Sequence, residues 1–374
     1  MNEQEQLDSM TLALLPYLSQ AAIHELYDRF GSATLVLQNR HNISDILPDA
    51  SPRLLSAFAD ISNAQHRAEA EYQWARDNNV EIIPLNSPFY PQRLAGCPDS
   101  PTVLYSKGNA DLNARKVISI IGTRHCTLYG QDIIRQFVRD MRNYCPELLI
   151  VSGLAYGVDI NAHREALANG YPTVGVLAHG LDQIYPYTHH ATADEMLANG
   201  GLLTEYMSQT IVKKGNFVQR NRIVAGMADA TILVESASKG GGLITLGIAN
   251  DYHRDTFAFP GPVNAPYSQG CNSSIRDNHA TLITNAEDFV KTMGWMDDAE
   301  LYEAKKRGIE RQMFPDITAE EQQIVDILQA DNNLQINVLT MKSSLPINKL
   351  TSLLFSLEMK GVIKTMAGGC YHLI

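Results

Sequence analysis

The sequence predicts an α/β fold: an extended Rossmann-like parallel sheet, flanked by an N-terminal helical (SAM-like) bundle and a C-terminal winged-helix domain. Three observations predict it. From Lys116 onward, short apolar runs recur between helical segments, the pattern of parallel strands buried on both faces. Ahead of them, residues 10–70 carry apolar side chains at helical spacing. After them, residues 317–374 read as three helices closed by a two-stranded hairpin.

A chain of 374 residues holds two or three domains. We place them at 1–75 (bundle), 76–292 (sheet domain), 293–316 (linker) and 317–374 (winged helix). The composition, 45% hydrophobic and 19% charged, is that of an ordinary globular protein. No apolar run is long enough to span a membrane. The opening MNEQEQLDSM is polar and acidic, without the basic and apolar regions of a signal peptide. Five scattered cysteines with no C-x-x-C indicate neither a zinc site nor a disulfide framework. The expectation is a reduced, cytoplasmic protein with no cofactor. A net charge of -11 excludes sequence-blind coating of DNA but leaves room for a local basic groove.

In the bundle, Leu12, Leu14 and Leu15 run into Pro16, and Ile23, Leu26, Tyr27 and Phe30 follow up to Gly31, a helix stop. Ile43–Leu47 and Leu54–Phe58 suggest short helices. Val80–Leu85 and Thr102–Tyr105 read as strands around a proline-rich connector. The main sheet is expected from Val117–Ile121, Leu148–Ser152, Thr173–Leu177, Gly201–Thr204, Ala230–Glu235, Thr256–Phe259 and Thr281–Thr284. Ligands of such sheets bind outside the carboxyl ends of the strands. There the sequence offers Gly122-Thr123-Arg124, then Ser152-Gly153 through Asp159, where Asp159 is placed to cap a helix containing His163. Gly270, Asn272, Ser274 and Arg276 read as a loop before the last strand.

The stretch from Lys213 to Thr245 is the most informative. Between Ile211 and Gly226 stand Lys213, Lys214, Arg220 and Arg222, with no acid, around Phe217 in what reads as a polar loop. Cations interleaved with a stacking ring suit single-stranded nucleic acid. The strand Ala230–Glu235 then empties into Ser236–Gly242, which holds Lys239 and three glycines, and a helix follows from Leu243. A strand, a glycine-rich turn and a helix N-terminus form a ready anion site, because free backbone N–H groups point outward there.

In the terminal domain, Thr318-Ala319-Glu320-Glu321 is a capping box, opening a helix with Ile324, Ile327 and Leu328 inward. A second helix starts at Ile336–Thr340. The third carries Leu350, Leu353, Leu354 and Leu357, and Val362–Thr365 pairs with Cys370–Leu373 across Ala367-Gly368-Gly369. As a recognition helix, Asn348–Lys360 carries only Lys349, Lys360 and Glu358 as charges, which favours protein contact over a phosphate track.

Several motifs, in order, resemble the DNA-processing protein A family (DprA, also called Smf). They are IGTRHCTLYG, SGLAYGVDINAHREAL, GVLAHGLDQIYP, NFVQRNRIVAGMAD, KGGGLIT and FPGPVNAPYSQGCNSSIRDNHATLIT. The lead-in IPLNSPFYPQRLAGCPDSPTVLYSKGN and the tail SLLFSLEMKGVIKTMAGGCYHLI are similar to the family too, so the resemblance covers about residues 10–374. It implies a recombination mediator of natural transformation: a homodimer that binds and protects incoming single-stranded DNA and helps load the RecA recombinase. The resemblance puts DNA contacts at Arg124, Lys214, Phe217, Asn221 and Arg222. With Gly122, Gly153, Arg220, Lys239, Gly241 and Thr245 these are the candidate DNA-binding residues. Gly240 and Gly242 stand where serines are common in the family, and His189-His190 replaces a polar-Asn pair.

Two other readings stay open at this stage. A Rossmann-like sheet with a GGG turn also resembles phosphoribohydrolases, nucleotide-binding enzymes with a P-G-G-x-G-T-x-x-E motif. Here no acid lies between Glu235 and Asp251, so general acid–base chemistry lacks its carboxylate. No G-x-S-x-G elbow makes Ser152 a nucleophile beside Asp159 and His163, and no Walker loop is present. The chain therefore reads as a binding protein rather than an enzyme. A transcription factor acting through the winged helix is the third reading, and its weakly charged third helix counts against it.

Overall fold

In the computed structural model, which describes residues 2–296, 317–330, 334–343, 345–366 and 370–373, the chain is helical from its first residues. Helix α1 (Glu3–Leu14) is capped by Asn2, whose side chain accepts from the Gln4 N–H at 3.1 Å. It lies partly within the opening that composition marks only as polar. Helix α2 (Gln20–Phe30) starts on Ser19 and ends at Gly31, where φ is 78°. Then come α3 (Ala33–Gln38), a 3-10 turn (Arg40–Asp45), α4 (Pro52–Ala59) and α5 (Ser62–Asp77). Leu12, Ile23, Leu26, Val36 and Phe58 form their common core.

The expected boundary at residue 75 runs through a packed core. Strands β1 (Glu81–Pro84) and β2 (Val103–Gly108), joined through the short α6 (Gln92–Ala95), lie against α1 and α5. Met10, Ala68, Tyr72, Ile82, Val103 and Tyr105 share one cluster. Buried Glu71 on α5 accepts from the Ser208 N–H at 2.8 Å and from its hydroxyl at 2.6 Å. The bundle therefore belongs to the first of two compact units, residues 1–299 and 300–374. Helix α5 carries too few apolar residues to fold on its own and buries its narrow apolar side against the strands.

The sheet continues with β3 (Val117–Ile121), β4 (Leu149–Ser152), β5 (Thr173–Val176), β6 (Gly200–Thr204), β7 (Ala230–Leu233), β8 (Asp255–Ala258) and β9 (Thr281–Leu282). Its order is β1-β2-β6-β5-β4-β3-β7-β8-β9. Strand β2 joins β6 antiparallel, and from β6 to β9 every pairing is parallel. Helices α7 (Leu128–Met141), α8 (Val158–Ala168), α9 (His190–Ala198), α10 (Lys214–Gly226), α11 (Gly241–Asp251), α12 (Gln269–Arg276) and α13 (Ala286–Thr292) connect and flank the strands. Two apolar clusters, one around Val117, Val151, Val176 and Leu233 and one around Ile118, Ile150, Phe257 and Phe289, bury the sheet.

Two segments that read as loops are helices. In α10, Arg220 and Arg222 occupy buried positions beside Ile223 and Val224, so the apolar period is hidden behind charges. In α12, glycine, asparagine and serine mask a helix that buries Gly270, Cys271 and Ser274. Asp159 does not cap α8. Gly157 is the N-cap, and the Asp159 carboxylate accepts instead from the Ala155 N–H at 3.4 Å. Of the expected linker 293–316, the Trp295 ring packs edge-on against Phe289 at 5.5 Å, so its first residues belong to the sheet unit. Residues 297–316 lie outside the described residues.

The second unit is a winged helix. It contains α14 (Ala319–Ala330), β10 (Leu334–Gln335), α15 (Ile336–Ser343), α16 (Ile347–Met359), β11 (Ile363–Met366) and β12 (Cys370–Leu373). The capping box closes both ways: the Thr318 N–H donates to Glu321 at 2.7 Å, and the Glu321 N–H to the Thr318 hydroxyl at 3.3 Å. Ile324, Leu328, Leu350, Leu354 and Leu357 are buried, while Ile327 and Leu353 sit at the margin. Strand β12 pairs with β11 and also with β10, a strand too short to announce itself in the sequence. The turn Ala367-Gly368-Gly369 lies outside the described residues.

Candidate nucleic-acid interface

The sheet reverses its winding at β3, which has β4 on one side and β7 on the other. Crossovers leave in opposite directions there, so a crevice opens above the carboxyl ends of β3 and β7. A cavity of about 470 Å³ fills it. The turn after β3, the turn after β4, one face of α10 and the glycine turn before α11 form its walls.

Each wall follows from local chemistry. Gly122 and Gly242 pass close to each other: a Cβ on Gly242 would stand 3.1 Å from the Gly122 Cα. Helix α11 begins on Gly240 with no side-chain cap and no acid in its first turn. Helix α10 begins on Lys213, also without a side-chain cap. Lys214 and Gly241, in the first turns of α10 and α11, both line the cavity, so the positive ends of two helix dipoles border it.

Candidate residues Gly122, Arg124, Gly153, Lys214, Phe217, Arg220, Asn221, Lys239, Gly241 and Thr245 all line this cavity. Arg124 and Lys214 are exposed, as is Lys239 on the glycine turn. The Arg124 guanidinium lies over the Phe217 ring, 5.4 Å from its centre, and the Tyr185 ring meets Phe217 edge-on at 5.7 Å. Among the described residues, Arg124, Lys213, Lys214 and Lys239 form no ion pair with an acid. Thr245 is buried and turns its hydroxyl back to the Gly241 carbonyl at 3.5 Å.

Arg220 forms the floor. It is 4% exposed and donates to the Val176 carbonyl, while its Nε has no partner. Gly153 makes room for it: a Cβ there would stand 2.1 Å from Nη1. Burial lowers the Arg220 guanidinium from its usual value, and Asp159 opposes that shift. The partner effect runs the other way, with burial raising the Asp159 carboxyl and Arg220 holding it down. Beneath them His163 is buried, bonded to the Thr173 hydroxyl at 2.7 Å, and pushed down to about 3 by burial and then by Arg220. It is a neutral, structural histidine.

Arg222 is the exception among the candidates. It lies outside the cavity, and its guanidinium pairs with Glu205 at 2.5 Å, both side chains being less than a tenth exposed. Two residues along a helix turn the side chain by about 200°, so Arg220 and Arg222 cannot share a face. As an expected phosphate contact Arg222 is thus corrected to an anchor of α10. The Glu235 carboxylate at the end of β7 is likewise engaged: it accepts from the Thr127 N–H at 2.8 Å and the Thr127 hydroxyl at 2.7 Å.

Sequence reasoning missed part of the rim. His125 stacks on Tyr267 at 5.9 Å, and both line the cavity with Thr123, Val218 and Ile244. Tyr267 lies in a proline- and glycine-rich segment far along the chain, and nothing local marks it as facing Arg124. The exposed Tyr156 lines an adjoining cavity with Arg124 and His125.

Residues 81–294 match the family model described as DNA recombination-mediator protein A, and residues 314–369 match the DprA winged helix domain. Protein Smf of Escherichia coli is 28% identical over 367 residues, covering 96% of this chain and 95% of that protein. The DNA processing protein DprA of Streptococcus pneumoniae is 36% identical over 244 residues, 63% of this chain and 85% of that one. Its X-ray structure covers 75% of this chain and 95% of its own with a TM-score of 0.66 at 29% identity. DNA processing protein A from Helicobacter pylori, a structure described for its single-stranded DNA binding mode, covers 57% of this chain and 95% of its own, with a TM-score of 0.52 at 30% identity. The match of the family model to residues 81–294, more than half of the chain, places this protein in the DNA recombination-mediator protein A family.

Proposed function

We propose that the protein is a single-stranded DNA-binding recombination mediator, a homodimer that protects incoming DNA and helps load the RecA recombinase during natural transformation. One observation carries the reading: the crevice brings Arg124, Lys214, Lys239 and buried Arg220 around an aromatic ring, with no acid paired to the three exposed cations. Phosphates would lie against these cations and the N–H groups that open α11. A base would stack on Phe217, worth roughly 1–3 kcal/mol. Duplex DNA keeps its bases paired and cannot offer that face. Two crevices in a dimer would engage one strand at two points and raise its avidity.

The reading is of a binder, not an enzyme, working in the cytoplasm. Supporting it, Glu235 is tied to Thr127, and Asp159, the acid in the cavity lining, is buried against Arg220. Among the described residues no helix is long and apolar enough to cross a membrane.

The test is anisotropy of a labelled thymine oligonucleotide against the protein over a salt series, with unlabelled duplex as competitor. Four cations at the strand predict that log K falls with log salt at a slope near -3. Equal competition by duplex, or a slope near zero, would sink the reading. Loading is read separately, as the rate at which RecA hydrolyses ATP on protein-bound single strands. No acceleration leaves a binder without a mediator role.

A further inference from the structure

A second cavity, of about 480 Å³, shares Arg124 and His125 with the crevice and continues onto Cys126, Gln131, Tyr156 and Asn161. Among the described residues no acid lines it. The Tyr156 side chain is 47% exposed, yet it is held in place. Buried His189 meets the ring edge-on at 4.9 Å, and the Thr188 hydroxyl donates to the Tyr156 hydroxyl at 3.5 Å. The same histidine bonds the Leu154 carbonyl at 2.9 Å, two residues before the ring. A ring left half in water forgoes the gain that burial would bring. Fixed and open, it suits a ligand with a flat apolar face.

The turn that carries Tyr156 is pressed onto the turn that carries Arg124. The Val158 N–H donates to the Thr123 carbonyl at 3.1 Å. Between them Gly157 takes a φ of 79°, and a Cβ there would stand 2.2 Å from that carbonyl and 2.7 Å from the Arg124 Cα. Ring and guanidinium therefore belong to one packed assembly. Arg124 also lies over the Phe217 ring of the first cavity, 5.4 Å from its centre. A lone ring beside a lone cation satisfies many ligands. Two rings in two cavities that share one cation fit a ligand that repeats: flat group, anion, flat group. A single nucleic-acid strand has that repeat, with a base on each nucleotide and a phosphate between.

We propose that the cavity beside Tyr156 is a second base-stacking subsite: the strand crosses Arg124, with one base on Phe217, a neighbouring base on Tyr156, and the phosphate between them at the guanidinium. Stacking uses the face that all bases share, so the subsite takes any base. The inference rests on the strand-binding reading of the first cavity.

The test titrates labelled thymine oligonucleotides of increasing length against the full chain, as wild type, Tyr156→Ala and Tyr156→Phe. Tyr156→Ala should lose roughly tenfold in affinity for long oligonucleotides and bind the shortest, which fills the first cavity alone, like the wild type. Tyr156→Phe keeps the ring and gives up only the contact with Thr188, so it should bind like the wild type at every length. A second measurement needs no substitution. A single 5-iodouracil moved along the strand should photocross-link the wild type at Phe217 from one position and at Tyr156 from a neighbouring one. An alanine variant that binds every length like the wild type overturns the subsite. So does an alanine variant that loses equally at all lengths, or a phenylalanine variant that loses as much as alanine, because the tyrosine then only props the Arg124 turn. A cross-link at Phe217 with none at Tyr156 overturns it too. A wild type that binds no oligonucleotide instead removes the strand-binding reading, and the subsite with it.

Discussion

Helix α10 of the sheet unit and helix α16 of the winged helix both carry lysines on short helices, yet their surroundings use them in opposite ways. Lys214 stands at the N-terminus of α10 in no ion pair with an acid among the described residues, beside a crevice. On α16, Lys349 is tied to Glu320, and Lys360 donates to both Glu321 oxygens at 2.9 and 2.8 Å. Neither of those two is free to meet a phosphate. The exposed face of α16 shows Ile347, Phe355 and Met359 instead. A cation's role is thus decided by whether the fold gives it a partner, and a positive charge on a recognition helix does not by itself make a DNA contact.

The strongest way to break this contrast is to disturb the floor of the crevice. Arg220→Met should lower single-strand affinity by one to two orders of magnitude, the range for a hydrogen bond to a charged group. Gly153→Ala should do nearly the same with every cation still present, because the new Cβ displaces the guanidinium. Anisotropy titrations check both, and a Gly153→Ala protein that binds like the wild type would show that Arg220 does not touch the strand. Next in size is Phe217→Ala, expected to weaken binding by roughly 1–3 kcal/mol and leave the salt slope unchanged. Lys214→Ala should act the other way, with a modest loss and a slope flatter by about 0.7.

The winged helix sharpens the comparison from its own side. Lys349→Ala with Lys360→Ala should leave single-strand affinity within about twofold while lowering the melting temperature of that unit. The Glu321 carboxyl, although burial opposes it, is held down to about 2 by Lys360, Ser356 and Thr318. Its folded value lies below the unfolded one, so its contribution is present above about 4.5 and is lost as pH falls toward 2. In the sheet unit, His163 carries the same sign for a different reason. Burial keeps it neutral, so its contribution is full above about 6.5 and drains as pH drops toward 3. Acid titrations followed by calorimetry should find the sheet unit weakening first, and His163→Gln should flatten its loss between pH 6.5 and 4. The smallest expected effect is Gly241→Ala: nothing lies within 4 Å of the added methyl, and stability should not change.

Much of this architecture was legible in the residues. Apolar runs such as Val117–Ile121 and Ala230–Leu233 announced buried parallel strands, and Ser236–Gly242 announced a glycine-rich turn into a helix N-terminus. The capping box at Thr318 and Glu321 marked its helix without any help from the fold. These are local signals, in which spacing, steric freedom or a cap acts within a few residues. The tertiary structure alone decided the rest. It made Arg220 a floor and Arg222 an anchor, because a helix turns two nearby arginines to opposite sides, and only the packed sheet says which side is the crevice. It merged the helical bundle with the sheet through Glu71 and Ser208, a contact between residues 137 apart in the chain. Partners at such separations leave no period in a sequence. They exist only once folding has brought the segments together.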